Sequence, residues 1–226
     1  MGDFFFGALG APASLADDCH DALRKQGIDV TGAKRLGSGH FGTAYLLRDG
    51  RVLKVTSDMT EGNLAAWLLA NKRALPSMFP RIDSAFLAQC SAKYGPPDIY
   101  IVREQLDSIP DADLHFFHQL TDELDRWMLY ADGFEGGETV EDLEYDIQNT
   151  VGKSPIAKGI FSSLAWMKKN KIFVEDINAG NIGIRPSTGD IVIRDLGQNT
   201  APTNIPLEPL AGLRRGRGLR LKARRL

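Results

Sequence analysis

Up to Leu106 the apolar side chains come mainly in short runs of strand length, and beyond it they recur every three or four residues. In the first stretch, 34–36, 43–47 and 51–55 read as strands, the last two joined by the hairpin signal Asp49-Gly50. Two more strands are expected at about 85–89 and 99–103, on either side of a loop containing Gly95-Pro96-Pro97. A helix at about 14–26 precedes them, with Ser14 as its cap, Leu15, Cys19, Ala22 and Leu23 along one face, and Gly27 as its stop. A second helix at about 60–74 lies between the third and fourth strands, with Leu64, Ala65 and Leu68 on the face that meets the sheet.

After Leu106 the period predicts helices at about 112–130, 140–151 and 154–170, interrupted by Gly133, Gly136 and Gly137. Ser154-Pro155 starts the last of these, and Ile156, Ile160, Leu164 and Met167 form its inward stripe. Ile182-Gly183-Ile184 and Ile191-Val192-Ile193 then read as a small hairpin around Ser187-Thr188-Gly189. This succession is that of an α+β protein, and no internal repeat is present.

Composition narrows the picture. With 226 residues and 43% hydrophobic side chains, the chain can build one sizeable core or two small lobes, and 25% charged residues fit a soluble globular protein. Phe4-Phe5-Phe6 follows no basic residue and is far shorter than a membrane span, so neither secretion nor membrane insertion is expected. Phe6 also stands where a myristoylation signal requires Ser or Thr. Cys19 and Cys90 are read as two ordinary buried thiols in a reducing cytoplasm. The net charge of −2 conceals an acidic body, because the last thirteen residues hold seven basic side chains and no acid, leaving −9 on residues 1–213. The run from Arg214 to Arg225 is either a contact for nucleic acid or an acidic protein surface, or a solvated end; it has no aromatic residue for base stacking.

Three separated groups of residues carry candidate chemistry. In Gly37-Ser38-Gly39-His40-Phe41-Gly42, missing side chains let backbone N–H groups approach phosphate oxygens, and the loop sits between two strands rather than ahead of a helix. Lys54 ends the following strand pair and is placed to neutralise phosphates; Glu61, on the face of Leu64 and Leu68, is its candidate acidic partner, with Asp58 the alternative and helix capping the competing role for Glu61. Further on, Asp176 and Asn181 have the D-x-x-x-x-N spacing in which the aspartate meets an acceptor hydroxyl and the asparagine reaches a metal. Asp195-Leu196-Gly197 closes the later hairpin, with Asp195 as the main magnesium or manganese ligand and Gly197 expected to allow the turn that aims it. His115 and His118 share a helix face but lack a third ligand, so they are set aside as a metal pair; His40 at the loop tip is a possible phosphate contact.

These motifs resemble those of the protein kinase superfamily, and from Lys34 to Lys54 together with Asp176 to Asn181 the likeness is to the short serine/threonine kinases that lytic podovirus-type bacteriophages make early in infection. The resemblance spans about 34–199. It implies a two-lobed kinase-like fold with a small antiparallel sheet lobe holding one helix and a reduced, mainly helical second lobe. The units would be a helical extension at 1–32, the sheet lobe at 33–105, the helical lobe at 106–205 and the basic tail at 206–226. It further implies ATP and magnesium as cofactors, adenine near Glu104 to Leu106, and phosphorylation of host proteins such as transcription or translation machinery in the bacterial cytoplasm. Departures are present. Val174-Glu175 replaces the usual His-Arg before the catalytic aspartate, so control by a phosphorylated loop is not expected. Asn178 stands where protein kinases place lysine and antibiotic phosphotransferases histidine, and the 29 residues after Gly197 contain no A-P-E element. A catalytically silent nucleotide-binding adaptor, a nucleic-acid module acting through the tail and a small-molecule kinase are the rival readings.

Overall fold

A computed structural model of the chain describes residues 17–39, 42–88, 98–133, 139–152, 155–201 and 207. Its first half is built on five antiparallel strands: β1 (Lys34–Ser38), β2 (Gly42–Leu46), β3 (Val52–Thr56), β4 (Ile82–Ala88) and β5 (Asp98–Arg103). They lie in the order β1-β2-β3-β5-β4. Gly50, at φ 85°, makes the β2 to β3 turn that Asp49-Gly50 predicts.

Period-two alternation gives this sheet two working faces. Leu53, Val55, Tyr100 and Val102 point to one face, where Cys19 and Leu23 of the helix α1 (Asp17–Lys25) cover them together with Ile28 and Val30. The other face receives the helix α2 (Met59–Ala70), whose Leu64, Ala65 and Leu68 are fully buried against Ile99 and Ile101. Asp58 caps α2, its Oδ1 accepting from the Thr60 N–H at 2.8 Å. The helix ends four residues short of the expected Ala74, because Asn71 turns back to satisfy the last carbonyls, its Nδ2 donating to the Trp67 carbonyl at 2.8 Å. Cys19 is disulfide-bonded, which corrects the expectation of two separate thiols and removes that argument for a reducing compartment.

A 3₁₀ turn at Asp111–Asp113 leads into α3 (Leu114–Ala131), followed by α4 (Val140–Val151) and α5 (Pro155–Asn170). Thr139 and Asp142 form a reciprocal capping box at the start of α4. Ile160, Leu164 and Met167 are buried and Ile156 is packed beside them, as the stripe predicts. The two-stranded hairpin of β6 (Ile182–Ile184) and β7 (Ile191–Ile193) pairs at its predicted positions. One apolar core runs without a break from α2 and β5 through α3, α4 and α5 to this hairpin. The mixed α+β architecture with a small antiparallel sheet is therefore as read from the pattern. No helix among the described residues is long and apolar enough to cross a membrane.

Arg185, just past β6, ties the two halves together. Its guanidinium donates to both oxygens of Glu104 at 2.8–3.2 Å, to Asp190 Oδ2 at 3.0 Å and to the Ser77 and Phe79 carbonyls at 3.0 Å each. With the arginine side chain 5% exposed and Glu104 16%, removing one partner strands a charge in a poorly hydrated place. Arg185→Ala is expected to cost about 3–5 kcal/mol, measured as a shift of the denaturant midpoint.

Candidate active site

Lys54 sits on β3 between Leu53 and Val55, so when those two face α1 it faces the opposite side, toward α2. Its Nζ lies 2.6 Å from Glu61 Oε1 and 3.0 Å from Asp195 Oδ1. Glu61 comes from the first turn of α2 and Asp195 from the chain just beyond β7, so one ammonium joins three distant segments. Asp58, the alternative partner, is occupied as the α2 cap.

Asn181 and Asp195 flank the hairpin, one before β6 and one after β7, and backbone pairing locks their spacing: the Asn181 carbonyl accepts from Arg194 N at 2.6 Å and Asp195 N at 3.3 Å. Asn181 Nδ2 donates to the Asp176 carbonyl at 2.9 Å and to Asp176 Oδ2 at 3.2 Å, which leaves the Asn181 amide oxygen as the free end of the group. Asn178 Nδ2 donates to Asp176 Oδ1 at 3.0 Å. The exposed Asp176 is thus gripped at both carboxylate oxygens by the amides of its own loop. Its φ of 57° is left-handed, a conformation costing about 1–3 kcal/mol that the surrounding bonds must hold. Part of that hold comes from Asp125 on α3, whose Oδ1 accepts from the Ile177 N–H at 3.2 Å.

Lys54, Glu61, Asp176, Asn181 and Asp195 open on one cavity of about 1030 Å³, which Gly37, Ser38, Gly39 and Gly42 also line. Leu36, Ala44, Val52 and Leu106 give it an apolar wall beside the charged end. His40 and Phe41 lie outside the described residues, as does the basic run from Arg214 to Arg225. Gly42 is required for close packing, since a Cβ there would strike the Val55 carbonyl across the strand pair. Gly197 has a different use from the one expected. The left-handed residue of that turn is Gln198, at φ 48°, whereas Gly197 is needed for space, a Cβ on it falling 2.9 Å from Asp58 Oδ2. Glu104 lines this cavity too, with its carboxylate held by Arg185 and by the Arg81 N–H at 2.8 Å, and Leu106 supplies an apolar contact.

Asn199 is a residue that the sequence did not single out. Its Nδ2 donates to the Thr60 carbonyl at 2.9 Å and to the Leu196 carbonyl at 2.7 Å, while its Oδ1 accepts from Ala201 N at 2.9 Å. Those carbonyls belong to the residues next to Glu61 and Asp195. One amide therefore fixes the separation of the two carboxylates that share Lys54.

Burial and the nearby Asp195 push the Glu61 carboxyl above its ordinary range, with Lys54 only partly opposing them. Burial also acts to raise Asp195, but Lys54, the Gly197 N–H and Arg103 outweigh it and hold this carboxyl below its usual value. As donors for a divalent ion, Asp195 and the Asn181 amide oxygen are hard oxygen ligands that fit magnesium, which keeps several waters and takes phosphate oxygens to complete its shell. Among the described residues no group of three or more His, Cys, Asp or Glu could hold a metal, and His115 and His118 are both exposed on α3. No protein-family model matches the chain, and no curated protein matches it in sequence.

Two outcomes follow from this geometry. Asn199→Ala removes the side-chain donor that the Thr60 and Leu196 carbonyls share and is expected to destabilise by about 0.5–1.5 kcal/mol in chemical denaturation. For pH, a carboxyl whose value is raised on folding binds its proton more tightly in the native state. Its ionisation therefore erodes stability as pH rises from the unfolded value near 4.5 through the higher folded one. The stability of the unaltered protein minus that of Glu61→Gln should fall across that window, and a flat difference in parallel denaturation series would contradict the assignment.

Proposed function

We propose that the chain is an ATP-dependent protein kinase of a reduced, two-lobed kinase-like type, with protein serine or threonine hydroxyls as acceptors. The observation that carries this reading is the placement of Lys54 between Glu61 and Asp195, at 2.6 and 3.0 Å, in one cavity with Asp176 and Asn181. Phosphoryl transfer demands charge neutralisation and alignment more than covalent chemistry, and these residues offer both.

In this reading the sheet-edge turn around Gly37, Ser38 and Gly39 covers the nucleotide, and the base rests against Leu36, Ala44, Val52 and Leu106. Lys54, oriented by Glu61, meets phosphate oxygens. Asp195 Oδ1 is already shared between Lys54 and the Gly197 N–H, so Oδ2 and the Asn181 amide oxygen are the groups that would hold magnesium. Bound there, magnesium would neutralise charge on the phosphate oxygens. Asp176, exposed and fixed by Asn178 and Asn181, accepts the proton of the incoming hydroxyl. The acceptors are proposed to be proteins of a bacterial host cell, following the phage-kinase resemblance.

Incubating the chain with γ-labelled ATP, magnesium and a bacterial lysate tests the reading. Label should pass to protein, and Asp176→Asn should lower transfer about 10²–10⁴-fold while leaving nucleotide binding near normal. Asp195→Asn and Lys54→Met should lose transfer and weaken binding of the magnesium nucleotide. Binding with no transfer by the unaltered chain would establish an adaptor instead, and label on small metabolites alone would establish a small-molecule kinase.

A further inference from the structure

Arg103, the last residue of β5, is a charged group that the catalytic assignment leaves unused. It stands opposite Val52 on β3 and Ile82 on β4, and it lines the same cavity as Lys54. The residue is only 6% exposed, and its Nε is buried without a hydrogen-bond partner. The carboxylates whose fields reach it are Glu61, Asp195 and Glu104. Each has a nearer claimant: Glu61 and Asp195 share Lys54, and Glu104 takes the fork of Arg185. Arg194 adds a like charge beside it.

A guanidinium in such a place loses its hydration without full compensation, and an apolar side chain of similar length would fit the site at lower cost. A guanidinium in the wall of a cavity can offer its planar fork of donors to an oxygen acceptor of a ligand. Resting on the nucleotide-binding reading above, we propose that Arg103 is a ligand-contacting residue, a buried donor kept unpaired in the free protein for an oxygen of the bound nucleotide. That oxygen belongs either to a phosphate or to a ring carbonyl at the inner edge of the base. In the second case Arg103 sets base preference, because guanine and hypoxanthine carry a carbonyl where adenine carries an amino group.

Titration calorimetry on the full chain with magnesium distinguishes these sources, using ATP, GTP, inosine triphosphate and inorganic tripolyphosphate, alongside thermal melting of the free protein. Arg103→Met should melt no lower than the unaltered chain and yet lose affinity at least tenfold. An equal loss for all four ligands identifies a phosphate oxygen. A loss confined to GTP and inosine triphosphate, with ATP unchanged, identifies a base carbonyl. Arg103→Lys, which keeps the charge without the fork, should fall between the two proteins and serves if the methionine variant does not fold. The proposal is overturned if neither variant changes the affinity of any ligand while the unaltered chain binds nucleotide. If the unaltered chain binds none of the four, the nucleotide reading itself falls, and the proposal with it.

Discussion

One ammonium answering two carboxylates is the constraint around which the molecule is arranged. Lys54 is held by a strand, Glu61 by a helix and Asp195 by a hairpin, 141 positions after Lys54. Each such attraction is on the order of a few kcal/mol before desolvation, and desolvation takes back much of it. The cluster is thus more valuable for fixing positions than for adding stability.

The parts of the fold that were legible in the sequence are those governed by local rules. Period-two runs and the Asp49-Gly50 turn gave the β2 to β3 hairpin, and Ser187-Thr188-Gly189 located the β6 to β7 turn, where Gly189 has φ 74°. Glu61 was readable because the stripe of Leu64, Ala65 and Leu68 fixed which way its face of α2 points. What escaped depends on meetings between distant segments. No local signal marks Asn199 as the clamp between Thr60 and Leu196, or Arg103 as a buried group at the end of a strand. Glu104 lines the cleft, as its place after β5 implies, but no local signal shows that Arg185, 81 positions later, claims its carboxylate. Cys19 likewise carried no spacing from which a disulfide could be read.

The helical half is small, and its economy is visible in how the Asp176 loop is supported. Asp125, on the neighbouring helix α3, takes the Ile177 N–H, while Glu175 N donates to the Gln198 carbonyl at 2.8 Å and Val174 bridges Asn199. The left-handed residues Asp176 and Gln198 both lie at the end of this short backbone ladder, where the Gln198 carbonyl accepts from Glu175 N.

The Arg185 junction has a consequence for the order of synthesis. The Ser77 and Phe79 carbonyls are made early but receive their donor from a residue 108 and 106 positions later. During translation the sheet and α2 leave the ribosome with this corner unsealed, and Met78, whose carbonyl pairs with Ile193 N, waits longer still. The nascent chain must therefore carry this apolar flank uncovered until the second hairpin is made, a stretch of synthesis in which it is open to association with other chains.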